Sequence, residues 1–224
     1  MQLKDTTLKV LQNFSAINSN LVVRKGNNIK TMTEARNVVS SATVDQEFDR
    51  DFGIYDLNEF LGVLNLVDTP ALTFADDYVT ISDTSGRTKI KYFFSDADIL
   101  TTPSNDVKMP NADVTFTLDA DTLAKLKRAA SALGHESLAV EPDGGSLKLS
   151  IFDNNNNTSN TYSTSIAGDY PEQNQFKLIF NINNFKVIPG DYNVSISSKL
   201  VSEFKHATDD VRYWIALEKT SEWN

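Results

Sequence analysis

The chain has 224 residues, of which 40% are hydrophobic and 23% are charged, a composition typical of a folded globular protein. The absence of cysteine excludes disulfide scaffolds, thiolate zinc sites and cysteine nucleophiles. The net charge of −9 argues against ordinary nucleic-acid binding through a basic surface and favours an acidic, solubilising exterior. With no basic, apolar leader and no apolar run of about 20 residues, the sequence predicts a protein that is neither exported nor embedded in a membrane.

The first half of the chain opens with a predicted helix at residues 5–14, in which Leu8, Leu11 and Phe14 share one face. Further predicted elements follow in this order: strands at residues 19–23 and 28–32 around a turn at residues 25–26, a short helix within residues 54–67, and strands at residues 71–83 and 87–94 around a turn at Ser85 and Gly86. No strand is assigned to residues 33–50.

The second half repeats much of this order. In a predicted helix at residues 119–133, four apolar residues share the inward face: Leu123, Leu126, Ala130 and Leu133. Predicted strands lie at residues 136–140, 146–152, 161–166, 176–182, 191–197 and 211–218, with a turn at residues 143–145 and an Asn-rich loop at residues 153–160.

One pattern occurs in both halves and indicates an internal repeat. Residues 54–67 and 180–188 each place an Asp or Asn just before an apolar residue that stands three positions ahead of a Phe. Asp56 and Asn181 then occupy N-cap positions, because a side-chain oxygen there can accept the free backbone N–H groups of a first helical turn. The pattern predicts a short capped helix in each half.

A two-fold repeat favours two similar domains. We expect one at residues 1–108 and one at residues 109–224, joined by a linker at about residues 99–113 that contains two prolines. The alternation of the predicted strands favours antiparallel sheets with one solvated face. Together with two short helices in each half, this predicts an α+β fold with the helices on one face of the sheets.

Five segments occur in order along nearly the whole chain: DTTLKVLQNFSAINSN at residues 5–20, IYDLNEFLGVLNLV at residues 54–67, GDY at residues 168–170, PGDY at residues 189–192 and IALE at residues 215–218. As a co-linear set they resemble the DNA polymerase sliding clamp (processivity factor) of T-even-type bacteriophages, and IYDLNEFLG is the most specific part. The chain departs from that pattern at residues 33–50, 97–113 and 153–160.

This resemblance implies a ring of three chains, with helices lining the hole and sheets outside, that encircles duplex DNA without reading its sequence. It also implies two protein partners, the viral DNA polymerase and an ATP-driven clamp loader, and action in the cytoplasm of an infected bacterium. A second hypothesis, a β-rich viral structural or interaction protein that does not encircle DNA, is compatible with the same alternation and acidity. A hydrolase with dispersed catalytic residues is a third.

Basic residues on the outward faces of the two long predicted helices are the candidate DNA-facing residues. They are Lys4 and Lys9 in the first half, and Lys125, Lys127 and Arg128 in the second, with Lys186 beside the second copy of the repeated pattern. Exposed helix faces often carry lysine for solubility alone. Two equivalent helices with basic outer faces in an acidic chain favour the DNA-facing interpretation, since a ring needs only a locally positive inner wall.

The resemblance further implies that short C-terminal peptides of the polymerase and other replication proteins dock on the clamp. Such peptides insert apolar anchors into a pocket, and we expect that pocket beside the linker at Ile99, Leu100 and Val107.

No residue pattern indicates catalysis. His135 and His206 stand outside any metal-binding motif, and we expect His135 near a helix end and His206 in a polar loop. The adjacent carboxylates of residues 76–77 and 209–210 would point to opposite faces of a strand and are typical of solvated turns. With no phosphate-binding glycine motif or nucleophile elbow, the sequence predicts a protein that is not an enzyme and holds neither a metal nor a cofactor.

Overall fold

The computed structural model describes all 224 residues. The chain folds as two compact units, Met1–Asp106 and Val107–Asn224. We retain residues 1–108 and 109–224 as the proposed domains. None of the helices has both the length and the apolar composition that spanning a bilayer requires.

The first unit combines two helices with two antiparallel sheets. Its elements are α1 (Asp5–Ile17), β1 (Leu21–Val23), β2 (Gly26–Met32), β3 (Val38–Phe48), β4 (Phe52–Ile54), α2 (Leu57–Leu64), β5 (Ala71–Phe74), β6 (Tyr78–Ser82) and β7 (Lys89–Phe93), followed by a 3-10 turn at Ala97–Ile99. Within this unit the strand orders are β3-β2-β1-β4 and β5-β6-β7. α1 packs against β3 and α2, so both helices cover the same core.

α1 forms because its apolar residues recur at helical spacing. Val10, Leu11, Phe14 and Ile17 are buried, so the helix continues one turn beyond the predicted end at residue 14. Leu8, predicted to point inward, is only half-buried.

α2 begins where the repeated pattern predicts a capped helix. The Asp56 carboxylate accepts hydrogen bonds from the backbone N–H groups of Asn58 at 2.9 Å and Glu59 at 3.1 Å. Leucines and Phe60 fill the buried face, and the Phe60 ring meets the Tyr92 ring edge-on at 5.1 Å. The Tyr92 hydroxyl donates to the Asp56 carbonyl at 3.1 Å, which ties the start of α2 to β7.

The second unit has a single α-helix and two five-stranded sheets. Its elements are β8 (Val114–Leu118), α3 (Ala120–Leu133), β9 (Ser137–Asp143), β10 (Ser146–Phe152), β11 (Tyr162–Ile166), β12 (Gly168–Asp169), β13 (Phe176–Asn181), a 3-10 turn at Ile182–Asn184, β14 (Tyr192–Ser197), β15 (Val201–His206), β16 (Val211–Ala216) and β17 (Glu222–Trp223). The strand orders are β12-β8-β14-β15-β16 and β11-β10-β9-β13-β17.

Every strand pair described within the two units is antiparallel, which confirms the predicted α+β class.

The core of the second unit is aromatic. The Phe185 ring meets the rings of Phe180 and Phe204 edge-on at 5.5 and 5.1 Å, and all three are buried. Tyr192 and Tyr213 lie beside them, fully buried.

The prediction of a second capped helix within residues 180–188 is wrong. The cap exists, since the Asn181 side chain accepts from the Asn183 N–H at 2.9 Å, but only one 3-10 turn follows. Phe185, Val187 and Ile188 are all buried, and this spacing cannot be placed on one helix face with solvent opposite. The residues after the turn therefore have no regular secondary structure, and their apolar side chains are buried without a helix.

Two strand predictions also need correction. The single strand expected at residues 71–83 is two strands, β5 and β6, joined by a tight connection at residues 75–77. Residues 38–48, to which no strand was assigned, form the eleven-residue β3. Its buried positions include Ser40 and Gln46, so the sequence lacks the regular alternation of apolar and polar residues that predicts a strand.

Candidate nucleic-acid interface

α3 is fixed at both ends by its own sequence. The Asp119 carboxylate accepts from the backbone N–H of Thr122 at 2.7 Å and from its hydroxyl at 2.8 Å, and these bonds lower the pKa of Asp119. Gly134 ends the helix in the left-handed region, with φ of 68°, where a residue without Cβ is favoured. Leu123 and Leu126 are buried, so the opposite face of α3 is held outward.

Two cations of α3 lie on that outward face. Lys125 and Arg128 are both exposed. The Lys125 ammonium lies 2.6 Å from the Asp121 carboxylate one turn earlier, and this hydrogen bond raises the pKa of Lys125. Exposed pairs of this spacing contribute little to stability, because water screens the charges and two long side chains must be held in place. A phosphate group can therefore replace Asp121 as the partner of Lys125 at little cost.

Lys127 is placed differently from its neighbours. Its side chain is half-buried, and its ammonium donates to the Phe185 carbonyl at 2.6 Å. Burial lowers the pKa of Lys127. The bond brings the segment that carries exposed Lys186 against α3, a proximity that the sequence pattern did not indicate.

α1 carries fewer cations. Lys9 is exposed on its outward side, and Lys4 stands just before its first residue. The Lys4 ammonium donates to the Asp45 carbonyl at 2.7 Å, while the Asp45 carboxylate accepts from the Thr6 hydroxyl at 3.2 Å. An acidic side chain therefore lies beside this end of α1, and its surface is less positive than that of α3.

The three residues expected to line a peptide pocket have different environments. Ile99 is 69% exposed, whereas Leu100 is 8% exposed. A Cβ on Gly53 would lie 2.8 Å from Leu100 Cδ1, so Leu100 packs tightly against β4 in the core of the first unit. Val107 belongs to the second unit and is half-buried. Of the three, Ile99 alone presents a largely exposed apolar surface.

The histidines serve structural contacts. His135 Nε2 lies 2.9 Å from the Asn160 carbonyl, close to the end of α3. The prediction that His206 lies in a polar loop is wrong. His206 is buried as the last residue of β15. Its Nδ1 accepts from the Asp209 N–H at 3.0 Å, and its ring meets Tyr192 edge-on at 5.1 Å. Its inward register position in β15 explains the burial. No group of three or more His, Asp or Glu side chains is placed to hold a metal ion.

Comparison with known families covers the chain from near its start to near its end. The model described as "DNA polymerase processivity factor" matches residues 3–99, and the model described as "gp45 sliding clamp, C terminal" matches residues 115–219. The chain belongs to the phage sliding-clamp family. Members of this family are processivity factors rather than enzymes, as the sequence predicts, and the match favours a clamp over the β-rich structural protein considered above.

Relatives of this clamp come from three phages, and each is named a sliding clamp. The protein of Vibrio phage KVP40 is 29% identical over 97% of this chain and 99% of its own length. Those of Escherichia phage RB69 and Enterobacteria phage T4 are each 28% identical over 99% of this chain and 98% of their own length.

A solved structure shares the clamp's fold at low sequence identity. It is the proliferating cellular nuclear antigen of Entamoeba histolytica, with a TM-score of 0.69, 17% identity and coverage of 95% of both chains. At this identity the likeness concerns the fold alone.

Proposed function

We propose that the chain closes into a ring around duplex DNA and tethers the viral replicative polymerase to its template. The observation that carries this proposal is the outward face of α3. There Lys125 and Arg128 stand opposite the buried leucines, in a family member whose net charge is −9. An acidic protein with a local cationic helix face is suited to being held by topology rather than by affinity.

The proposed inner wall consists of the outward faces of α1 and α3. Its cations are Lys4, Lys9, Lys125, Arg128 and Lys186, and half-buried Lys127 lies among them with its ammonium bonded to the Phe185 carbonyl. Contacts between such side chains and phosphates position a duplex without reading its bases. Each contact releases about one counterion, so affinity for free DNA should fall steeply with salt. The net charge of −9 should keep that affinity weak.

Ring closure is proposed to join three chains through the end strands of their sheets. β7 ends the three-stranded sheet of the first unit, and β11 ends one five-stranded sheet of the second. A strand at the end of a sheet leaves backbone N–H and C=O groups that pair readily with another strand. Pairing β7 of one copy with β11 of the next would repeat head to tail and close a ring.

The protein partners we infer are the viral polymerase, which docks through a C-terminal peptide, and an ATP-driven loader that opens the ring. We place these events in the infected bacterial host. Within the proposed pocket of Ile99, Leu100 and Val107, Ile99 is the residue best placed to contact a peptide, because its side chain is largely exposed.

Reversing two charges on α3 tests the DNA-facing surface. We expect Lys125→Glu with Arg128→Glu to impair loading and shorten the products of processive synthesis. Folding and ring mass should be unchanged, since both side chains point away from the core. Primer extension with the cognate polymerase and loader measures the first effect, and sedimentation measures the second.

The matched control is Arg87→Glu with Lys219→Glu, which makes the same charge change at exposed positions outside the helices. It should leave product length unaltered. Equal impairment by both double variants would show that net charge, rather than the α3 face, decides the outcome and would contradict the proposal.

A substitution at Ile99 tests the peptide pocket. Ile99→Asp should weaken binding of the polymerase C-terminal peptide about tenfold or more, because removing an apolar anchor contact costs about 1.4 kcal/mol or more. Leu100→Asp is unsuitable, since a charge there would enter the core of the first unit. Fluorescence anisotropy of the labelled peptide measures the effect, and unchanged affinity would remove Ile99 from the pocket.

A further inference from the structure

Lys127 is bonded within the second unit. Its ammonium reaches the Phe185 carbonyl at 2.6 Å, joining α3 to a segment 58 residues later in the chain. An ammonium group is strongly hydrated, so its partial burial is tolerated only where a protein acceptor replaces the lost water. Burial lowers the pKa of Lys127, and the Phe185 carbonyl gives the ammonium an acceptor in place of the lost water. The bond is therefore charge-assisted and directional.

The acceptor lies at the point where the chain leaves the 3-10 turn. Phe185 has φ of −80° and ψ of 52°, outside the helical region, and its ring is held edge-on by Phe180 and Phe204. The aromatic core thus fixes one side of residue 185, and Lys127 fixes its carbonyl. The next residue, Lys186, is exposed.

The two units anchor this part of the fold in different ways. In the first unit the repeated pattern forms α2, whose own hydrogen bonds hold it in place. In the second unit the pattern yields only the turn Ile182–Asn184, which is too short to hold the following residues by itself. A bond from α3 supplies an attachment that a second helix would otherwise provide.

We propose that Lys127 is a positioning residue that acts through Lys186. By holding the Phe185 carbonyl against α3, it presents Lys186 on the same surface as Lys125 and Arg128, where Lys186 meets a DNA phosphate. This inference rests on the proposed DNA-encircling function. The role is distinct from that of the other inner-wall cations. The Lys127 ammonium is bonded to the Phe185 carbonyl, so Lys127 acts by positioning Lys186 rather than by contacting phosphate.

The test is the salt dependence of binding to a short duplex by the full chain, compared among Lys127→Met, Lys186→Ala and the double variant. The slope of log affinity against log salt falls in magnitude by about 0.9 for each DNA phosphate that the protein no longer neutralises. We expect each single variant to lower the slope by the same amount and the double variant to lower it no further. Lys127→Arg keeps a donor for the Phe185 carbonyl and should retain the original slope.

A matched control removes a neighbouring cation. Lys125→Met deletes a charge from the same helix without touching the Phe185 carbonyl, so its effect should add to that of Lys186→Ala. Amide hydrogen exchange at Phe185 and Ile188, whose N–H groups donate to the Ile182 carbonyl and the Tyr213 hydroxyl, should quicken in Lys127→Met and not in Lys125→Met. Slow exchange in the strands of the second unit in both variants would show that the unit is folded.

Additive slopes for Lys127→Met and Lys186→Ala would mean that Lys127 meets phosphate by itself, and would overturn the inference. So would an unchanged slope and unchanged exchange in Lys127→Met beside a lowered slope in Lys186→Ala. If Lys125→Met and Lys186→Ala both left the slope unaltered, the DNA-facing surface itself would fail, and this inference with it.

Discussion

Single side chains cap two of the three α-helices of this molecule. Asp56 starts α2 and Asp119 starts α3, each by accepting backbone N–H groups two or three residues later, and Asn181 does the same at the 3-10 turn of the second unit. The first N–H groups of a helix have no partner within it, so a side-chain oxygen at this position stabilises the helix by about 1 kcal/mol. For α3, this cap holds the first turn of the helix whose outward face carries Lys125 and Arg128.

Removing the α3 cap should destabilise the protein in a pH-dependent way. We expect Asp119→Ala to lower the free energy of unfolding by about 1 kcal/mol at pH 7. Folding lowers the pKa of Asp119, so its stabilising effect is present above the ordinary aspartate pKa of about 3.9 and is lost as pH falls through the lower folded value. The gap between the two proteins in urea unfolding should therefore narrow below about pH 3.9.

Asp121→Ala is the matched control, because Asp121 lies in the same first turn but is bonded to Lys125 rather than to the backbone. It should change the free energy of unfolding much less than Asp119→Ala does, since an exposed ion pair contributes little to stability. An effect at Asp121 as large as that at Asp119 would attribute the loss to general charge near the helix start instead of the cap.

At the scale of elements, a helix or strand could be predicted from the sequence when its inward face was apolar. The three α-helices followed from apolar spacing, and the caps at Asp56 and Asn181 followed from the repeated pattern. β3 and β15 escaped prediction because their inward faces carry polar residues, Ser40 and Gln46 in one and Ser202 in the other. Ser202 is buried through a bond from its hydroxyl to the Ile215 carbonyl at 2.7 Å, a partner that lies on another strand. Tertiary contacts of this kind leave no local pattern.

The candidate site was limited in the same way. Spacing placed Lys125 and Arg128 on the exposed face of α3, where they lie. It could not show that Lys127, between them on the chain, reaches the Phe185 carbonyl, because that acceptor comes from a distant segment whose predicted helix did not form. Nor could it show that Leu100 is buried, which depends on the close approach of Gly53.

The end strand β7 offers a test of assembly. Phe93 is 65% exposed on this strand, with its ring 5.6 Å from that of Tyr78. If β7 pairs with β11 of the next copy, Phe93→Asp should place a charge in the contact and shift the oligomer toward single chains. Sedimentation at several concentrations measures this shift.

Leu66→Asp provides the comparison, since Leu66 is 74% exposed just after α2 and lies on no strand. It should leave the mass unchanged. A loss of assembly in Leu66→Asp but not in Phe93→Asp would move the interface away from β7.

At the scale of the whole molecule, the distribution of charge matters more than its sum. A net charge of −9 repels DNA at long range, yet Lys125 and Arg128 form a local positive face. When such a protein binds DNA by charge alone, without encircling it, binding is weak and dissociation is rapid as salt rises. A closed ring, by contrast, leaves DNA only when an interface opens or when it slides off an end.

Retention on circular and linear DNA therefore tests the central claim most directly. The protein is loaded onto nicked circular DNA, the salt is raised, and the bound fraction is followed by gel filtration before and after a single restriction cut. We expect the protein to persist on the circle at a salt concentration that abolishes binding of free protein, and to dissociate when the circle is cut. Equal persistence on circular and linear DNA, with release from both at the same salt, would contradict a ring that encircles DNA.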